Sequence, residues 1–454
     1  MITGKSAWHN LTDLAVTETH NQQTTWLNIS RPLSAQNAFA VVDAIEISWS
    51  RPHPLGNMAA GGFTLKVIGT KGASAEWMRQ GTRIQVSAFL ANRRRVIATG
   101  WIRAFTVSAR NEQTVSYEID CDDIFAKTST VTMPDTSRLG GGLGVYERCS
   151  RINAWWGQEL VKAAPGYTHM LKGYEAEKGY QCAQPSAGSS LLNIIEHTCP
   201  PLSRTYPGNN GETILISDGP GMGVFWGSND MPISAEKDPR LGETTLKDSQ
   251  VEQVDTEYNC TSAVRLIKIN CYKTIDSGFK WERDERTWQD YSQETNSYAG
   301  EISQETDVID MYPALAITGG LFTFYNAAIE KILAEAAKVR PMPTKPAKLV
   351  DLSESQLADW LDINRRSGLL VRLNLAGKDQ LMVPVASTIT IKAGKAKVEV
   401  AFASAGQAGI GIARISDTAP KNSAKTPGTL ASAGAQLTFE DTKTINNLRI
   451  PYYV

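Results

Sequence analysis

Histidine is scarce in this 454-residue chain: His9, His20, His53, His169 and His197 are all there is, and no two stand at the i, i+4 spacing that a helix-borne metal site needs. Cysteine is thin as well. Six residues (Cys121, Cys149, Cys182, Cys199, Cys260 and Cys271) include no C-x-x-C pair and lack the dense spacing of a secreted disulfide scaffold, so they read as buried thiols of a reducing compartment. Eighteen apolar residues never follow one another, which predicts no membrane span. The opening "MITGKSAWHNLTDLAV" lacks the basic segment and long apolar run of a signal peptide. Net charge is also missing, at -1, so no overall field gathers nucleic acid or anionic lipid, and any basic contact has to be local.

These shortages weaken the common chemistries. His197 and Cys199 are two residues apart, so on a helix they point about 160° away from each other. A cysteine hydrolase of the papain type needs a histidine after the cysteine, and Cys182 with His197 is the one arithmetic possibility. The glycine clusters "GGGLG" and "GPGMG" are not followed by Lys-Ser/Thr and read as linker or turn. The 47 acidic residues leave a carboxylate pair for glycoside cleavage open, because the separation that decides it is spatial. No cofactor and no metal ligand set is expected.

What the chain does hold is strand pattern. Its length suits two to four domains. Residues 1–39 are polar with scattered aromatics and read as an arm that docks on a partner. From Ala40 follow "AVVDAIEISWS", "GGFTLKVIG", "RIQVSAFL", "RRRVIATGWI", "RAFTVSAR" and "TVSYEIDCDDIF", a first small barrel or sandwich over 40–137. Within it, "GTRIQVSAFLANRRRVIATGWI" predicts a hairpin: Ile84, Val86, Ala88 and Leu90 alternate with polar neighbours, and Arg93, Arg94 and Arg95 are expected at its tip. The arginines, with Trp101, are the candidate partner-contact residues.

The run "RLGGGLG" is expected to be a flexible link to an α+β segment over 145–235. There Ile152, Trp156 and Leu160 share one helix face, Leu192, Ile195 and Cys199 another, and "NNGETILISDG" gives a turn and a strand. A second β unit over 236–405 opens with "NCTSAVRLIKINCY". The acidic "WERDERTWQDYSQETNSYAGEISQETDVID" interrupts it and reads as an exposed loop. A helix over Ala328, Ile329, Ile332, Leu333 and Ala336 ends at "RPMPTKP". A capping box, Ser353 with Gln356, starts another helix. The strands "GLLVRLNL", "QLMVPV", "STITI" and "KVEVAFA" close the unit, and residues 406–454 form a small β extension. "DINRRSGLLVRL" repeats the Asn-Arg-Arg turn of the first unit.

The order of these units carries a resemblance. A hairpin "G-x-x-I-x-V... V-x-x-T-G-W-I", the helical "SSLLNIIEHT", the second unit from "NCTSAVRLIKIN" and the late pair "STITIKAGKAKVEVAFA" resemble the minor tail proteins of long-tailed phages that form the baseplate or tail-tip hub. The resemblance spans roughly residues 40 to 405 and rests on patterns of apolar residues and glycine.

The resemblance implies a β-rich α+β fold with two tail-tube-like barrel or sandwich domains, a homotrimer imitating a sixfold ring, and a structural role without catalysis. It implies the virion tail tip as location, with assembly in the host cytoplasm. The implied partners are the tail tube or distal tail protein, the tape measure protein and other minor tail or receptor-binding proteins, with DNA only as passing genome. Two other readings compete: a distal ring or side-attached tail protein whose C-terminal module binds sugar, and a carboxylate-based cell-wall glycosidase.

Overall fold

A computed structural model of the chain describes residues 6–20, 23–28, 40–70, 79–139, 141–163, 181–199, 204–208, 214–217, 246, 248–252, 255–259, 262–275, 280–290, 299–309, 333–334, 336–362, 371–405, 414–415 and 437–438. The chain first lays down β1 (His9–Asn10), β2 (Thr12–His20), β3 (Gln23–Asn28), β4 (Ala40–Ser50), β5 (Gly62–Thr70), β6 (Arg83–Leu90), β7 (Arg93–Ala109) and β8 (Thr114–Asp122), then α1 (Ile124–Ser129). A middle stretch adds β9 (Leu143–Gly144), α2 (Val145–Trp156), β10 (Val161–Ala163), β11 (Gln181–Cys182), α3 (Leu191–Thr198), β12 (Arg204–Pro207) and β13 (Ile214–Ser217). The last stretch adds β14 (Thr256–Tyr258), β15 (Val264–Ile275), β16 (Lys280–Gln289), β17 (Gly300–Ile309), β18 (Pro341–Pro343) and β19 (Ala347–Lys348). It ends with α4 (Glu354–Leu361), β20 (Val371–Leu375), β21 (Lys378–Lys392) and β22 (Lys395–Ser404).

The fold is β-rich, as expected. Its centre is a 12-stranded sheet in the order β1-β22-β21-β4-β5-β8-β7-β6-β2-β3, with β19 and β20 attached to β22 and β21. The strand groups that the sequence separates by an α+β segment are hydrogen-bonded neighbours, since β21 runs antiparallel to β4 from Ala386↔Ser50 to Lys392↔Ala44. One core follows from this junction. Val16, Ile45, Leu65, Ile84 and Ile119 share it with Leu349, Trp360, Val371, Ile389 and Val398.

The N-terminal segment closes the sheet on itself. His9 pairs with Ala396 on β22, Thr12 pairs with Phe89 on β6, and the amide of Leu11 between them donates to Gly394 O at 2.8 Å. Residues 9–20 are thus wall strands and not part of a docking arm; Leu11, Leu14 and Val16 are buried. A bulge between Thr12 and Ala15, with Asp13 at φ 46°, breaks the alternation that would have marked them as strand.

The acidic stretch expected as a loop supplies β16 and β17. Both flank β15, β16 antiparallel and β17 parallel to it, in a five-stranded sheet ordered β16-β15-β17-β11-β9. The charges of β16 suit an edge strand, where they discourage pairing with another chain. The glycine run is no free linker either. Leu139 is buried, Leu143–Gly144 pairs with β11, and a Cβ on Gly141 would overlap the ring of Trp281.

A second core joins α1, α2 and α3 to β10, β12 and β13 through Phe125, Ile152, Leu160, Leu191, Ile195, Tyr206 and Ile214. Helix α2 ends at Gly157 in the left-handed region, φ 81°, so Leu160 lies beyond it and not on its stripe. The expected capping box at Ser353 and Gln356 starts α4. Of the helix expected over 328–336, residues 333, 334 and 336 are described and helical. The cluster "GPGMG", the second Asn-Arg-Arg turn at 364–366 and nearly all of 406–454 lie outside the described residues.

Candidate interaction site

The β6–β7 hairpin forms where the alternation put it. Ile84, Val86, Ala88 and Leu90 are all buried. Its turn is the two-residue Ala91-Asn92, with φ of 49° and 64°, the doubly positive geometry whose twist matches that of paired strands. The arginines therefore begin β7 and do not form the tip: Leu90 pairs with Arg93, Phe89 with Arg94 and Ala88 with Arg95. Beyond them Ile97 bulges out of register between Val86↔Ala98 and Ser87↔Val96, which lets it be buried beside the alternating set.

Three of the four candidate contact residues, Arg94, Arg95 and Trp101, are engaged within the chain. Arg94 donates from Nη1 to Asp13 O and to Ser87 Oγ, each at 3.2 Å. Trp101 is half-buried, with Lys127 Nζ 4.1 Å from its ring centroid; the same ammonium lies 5.8 Å from Trp156, whose ring is tilted 47° against Trp155. Cation–π attraction holds this lysine over two indoles, and burial lowers its pKa. Arg93 is exposed and Arg95 half-buried on the side of Ala88. The turn is clipped from outside the hairpin, because Glu354 Oε1 accepts from the Ala91 amide at 2.7 Å.

The part of the hairpin sheet that the sequence did not single out lies further along β7. Beyond Ile102 this strand keeps its β8 partner but has left β6 behind, and Phe105 and Val107 are 42% and 51% exposed. Alternation marked the strand; nothing local marked that one of its sides would end without a neighbour among the described strands.

The buried ionisable groups act as structural ties. Asp123 Oδ1 caps α1 through the Ala126 amide at 2.8 Å, while its Oδ2 takes the Gly61 amide at 3.0 Å. Burial outweighs these bonds and pushes its carboxyl up to about 6. It borders a cavity of about 40 Å³ walled by Ile47, Phe63, Ala98 and Thr99. Cys182 is no poised nucleophile: its thiol is fully buried, donates weakly to Thr198 O at 3.8 Å and is pushed by burial up to about 11. Among the described residues no group of three or more His, Cys, Asp or Glu is placed to hold a metal ion.

Glu196 on α3 is raised further, to about 7, by burial against one weak bond from Thr205 Oγ1 at 3.5 Å. Its folded pKa exceeds its unfolded value near 4.5, so the folded state holds the proton more tightly, and stability falls as pH rises from about 4.5 to about 7. Glu196→Gln removes that charge while keeping an acceptor for Thr205. Thermal melts of the variant are expected to be flatter across this window than those of the parent, with a gain of up to about 3 kcal/mol above pH 7. The slope that persists belongs to the other carboxyls that burial raises, Asp123, Asp307 and Asp122. An unchanged pH profile refutes the buried-carboxylate account.

No protein-family description matches the chain, and no curated protein matches it significantly. Solved structures do. The 43 kDa tail protein of prophage MuSo2 from Shewanella oneidensis is 12% identical over 87% of this chain and 99% of that one, with a TM-score of 0.51. A tail protein from Neisseria meningitidis is 10% identical over 86% and 96%, with a TM-score of 0.47. Prophage tail protein gp18 from Listeria monocytogenes is 11% identical over 94% and 98%, with a TM-score of 0.41. The chain shares the fold of the MuSo2 tail protein over 87% of its length.

Proposed function

We propose that this chain is a structural protein of a phage-type tail and that it forms the hub ring at the tail tip. The observation that carries the reading is the fold, matched over nearly the whole length of a prophage tail protein by a closed sheet that both halves of the chain build. A wall drawn from residues more than 300 apart in sequence gives a rigid ring segment, because strands from both halves share one core and neither half buries its apolar side without the other. The buried carboxylates and thiols serve as caps and packing groups, which suits an assembly protein better than a hydrolase.

In the hub reading three copies surround the tail axis. They stack on the tail tube or distal tail protein, meet the end of the tape measure protein, carry other minor tail or receptor-binding proteins, and let the genome pass. Arg93, Arg94, Arg95 and Trp101 are the contact residues of this reading, Arg93 and Arg94 being the exposed arginines, with Arg94 also tied to Asp13 and Ser87 and Trp101 to Lys127.

Cryo-imaging of tails assembled with a tagged copy of the chain is the test. Three copies on the axis are expected. Six copies favour the distal ring, and absence from the particle ends the tail reading altogether.

A further inference from the structure

We propose that the outer edge of β7, Ala104–Ala109, is a docking edge for a strand of a second copy of this chain, and that β3 is the strand it receives. The last ties on that side of β7 are Gly81 N to Ile102 O at 2.8 Å, Ile102 N to Thr82 O at 2.9 Å and Gln80 Nε2 to Arg103 O at 3.1 Å. Beyond them β7 pairs only with β8 among the described strands, from Ala104↔Asp120 to Ala109↔Val115. Every residue from Arg103 to Arg110 is exposed, although the directly opposed Ile119 and Val115 on β8 are 0% and 7% exposed. Phe105 and Val107 continue the apolar row of Leu65, Val67 and Ile119 across the sheet, and the row runs out into solvent there.

An unpaired strand edge presents a row of free amides and carbonyls, and proteins that leave one open guard it with charge, proline or a bulge. Another bare edge, β16, is guarded in this way: Lys280, Glu282, Arg283, Asp284, Glu285 and Arg286 all stand on it. The edge at Ala104–Ala109 reads Ala-Phe-Thr-Val-Ser-Ala, with no charge and no proline, and the bulge of β7 at Arg103 lies before it, leaving Ala104 to Ala109 in regular register. Such a sequence invites a partner strand.

The same chain offers a fitting strand. β3 ends the sheet, pairs only with β2 among the described strands, and reads Gln-Thr-Thr-Trp-Leu-Asn, again without charge. Within one chain the two edges are kept apart, because β6 and β2 lie between β7 and β3 in the sheet. Between two chains nothing intervenes, and the main-chain hydrogen bonds of strand addition can form. An edge and a strand on different parts of the surface join head to tail, and such heterologous contacts close into a ring when the rotation between copies is a simple fraction of a turn. The contact deepens the hub reading by naming the surface through which copies meet.

The test uses the full chain. Light scattering across a concentration series, with amide exchange on the same samples, compares the parent with Phe105→Lys/Val107→Lys. Both side chains are already exposed, so near-UV dichroism should match the parent, and Val107→Thr is the control that keeps strand propensity without charge. The parent and the control are expected to form a multimer with slow exchange at 104–109 and 23–28. The double lysine variant is expected to fall to the single-chain mass of 49.5 kDa, with fast exchange at both segments. A parent that stays at the single-chain mass at every concentration overturns the proposal. So does a lysine variant that multimerises like the parent, or a multimer whose amides at 104–109 exchange fast. Tails that show three axial copies while the lysine variant still assembles sink the edge contact and leave the hub reading standing; six axial copies with a monomeric lysine variant do the reverse.

Discussion

Replacing Arg148 with alanine is expected to cost about 3–5 kcal/mol, because it leaves a buried carboxylate without its counter-charge. Arg148 comes from α2 and is 0% exposed; its Nη1 lies 2.9 Å from Asp307 Oδ2 on β17 and 3.4 Å from Thr198 Oγ1 at the end of α3, and its Nη2 donates to the Ala183 carbonyl beyond β11. Thr306 beside Asp307 donates to the carbonyls of His197 and Cys199. One guanidinium thus joins the helical layer to the five-stranded sheet. Burial already raises the Asp307 carboxyl, and Arg148 is the largest influence opposing it. Without the arginine that carboxyl rises further and the folded state takes up its proton, so the variant's deficit should be smaller near pH 4 than near pH 7.5. Urea titrations at the two pH values read both effects. Replacing the pair together, Arg148→Met with Asp307→Leu, should recover much of the loss, since an apolar pair leaves no charge stranded. A loss below about 1 kcal/mol for the single variant is the range of an exposed surface pair and would sink the account.

The sequence made local order legible and long-range neighbours illegible. Ile84, Val86, Ala88 and Leu90 face the core because period two leaves no other face for them, and the box at Ser353 and Gln356 starts a helix because it satisfies amides at its own end. Position within the hairpin was harder to see. Three arginines look like a solvated tip, but Ala91-Asn92 adopts the doubly positive turn, a conformation alanine seldom takes and the flanking strands impose; Ala376-Gly377 and Ala393-Gly394 repeat it. β16 reads as an exposed loop because a run of charges suits solvent, and the same charges suit the edge strand that it forms. Residues 9–20 looked like an arm because a bulge hides Leu11, Leu14 and Val16 from the alternation. The pairing of β21 with β4 leaves no local trace at all, because either strand alone only requires some neighbour. For the candidate site the same holds: the residue types of β7 were visible, while the start of β6 only at Arg83, opposite Trp101, which leaves the far half of β7 exposed, is a property of the assembled sheet.

Trp360→Ala is expected to destabilise the chain by about 3–5 kcal/mol, the range for emptying a fully buried aromatic site. Trp360 is 0% exposed, and its ring meets that of Phe402 on β22 edge-on, with centroids 6.2 Å apart at 86°. Leu357, Ala358 and Leu361 bury the same face of α4, and at the helix start Glu354 accepts from Ala91 at the β6–β7 turn. The helix is therefore seated on the core that both halves of the wall share, and it clips the hairpin by one hydrogen bond. Emptying the tryptophan site should loosen β6, β7 and β20–β22 together, so amide exchange in strands from both ends of the sequence should speed up alongside that of α4, and denaturant unfolding should keep a single transition at a lower midpoint. Trp360→Phe keeps most of the buried area and should cost less than half as much. If exchange quickens in α4 alone, the helix is a local cover, and the two halves of the wall hold each other through β4 and β21 without it.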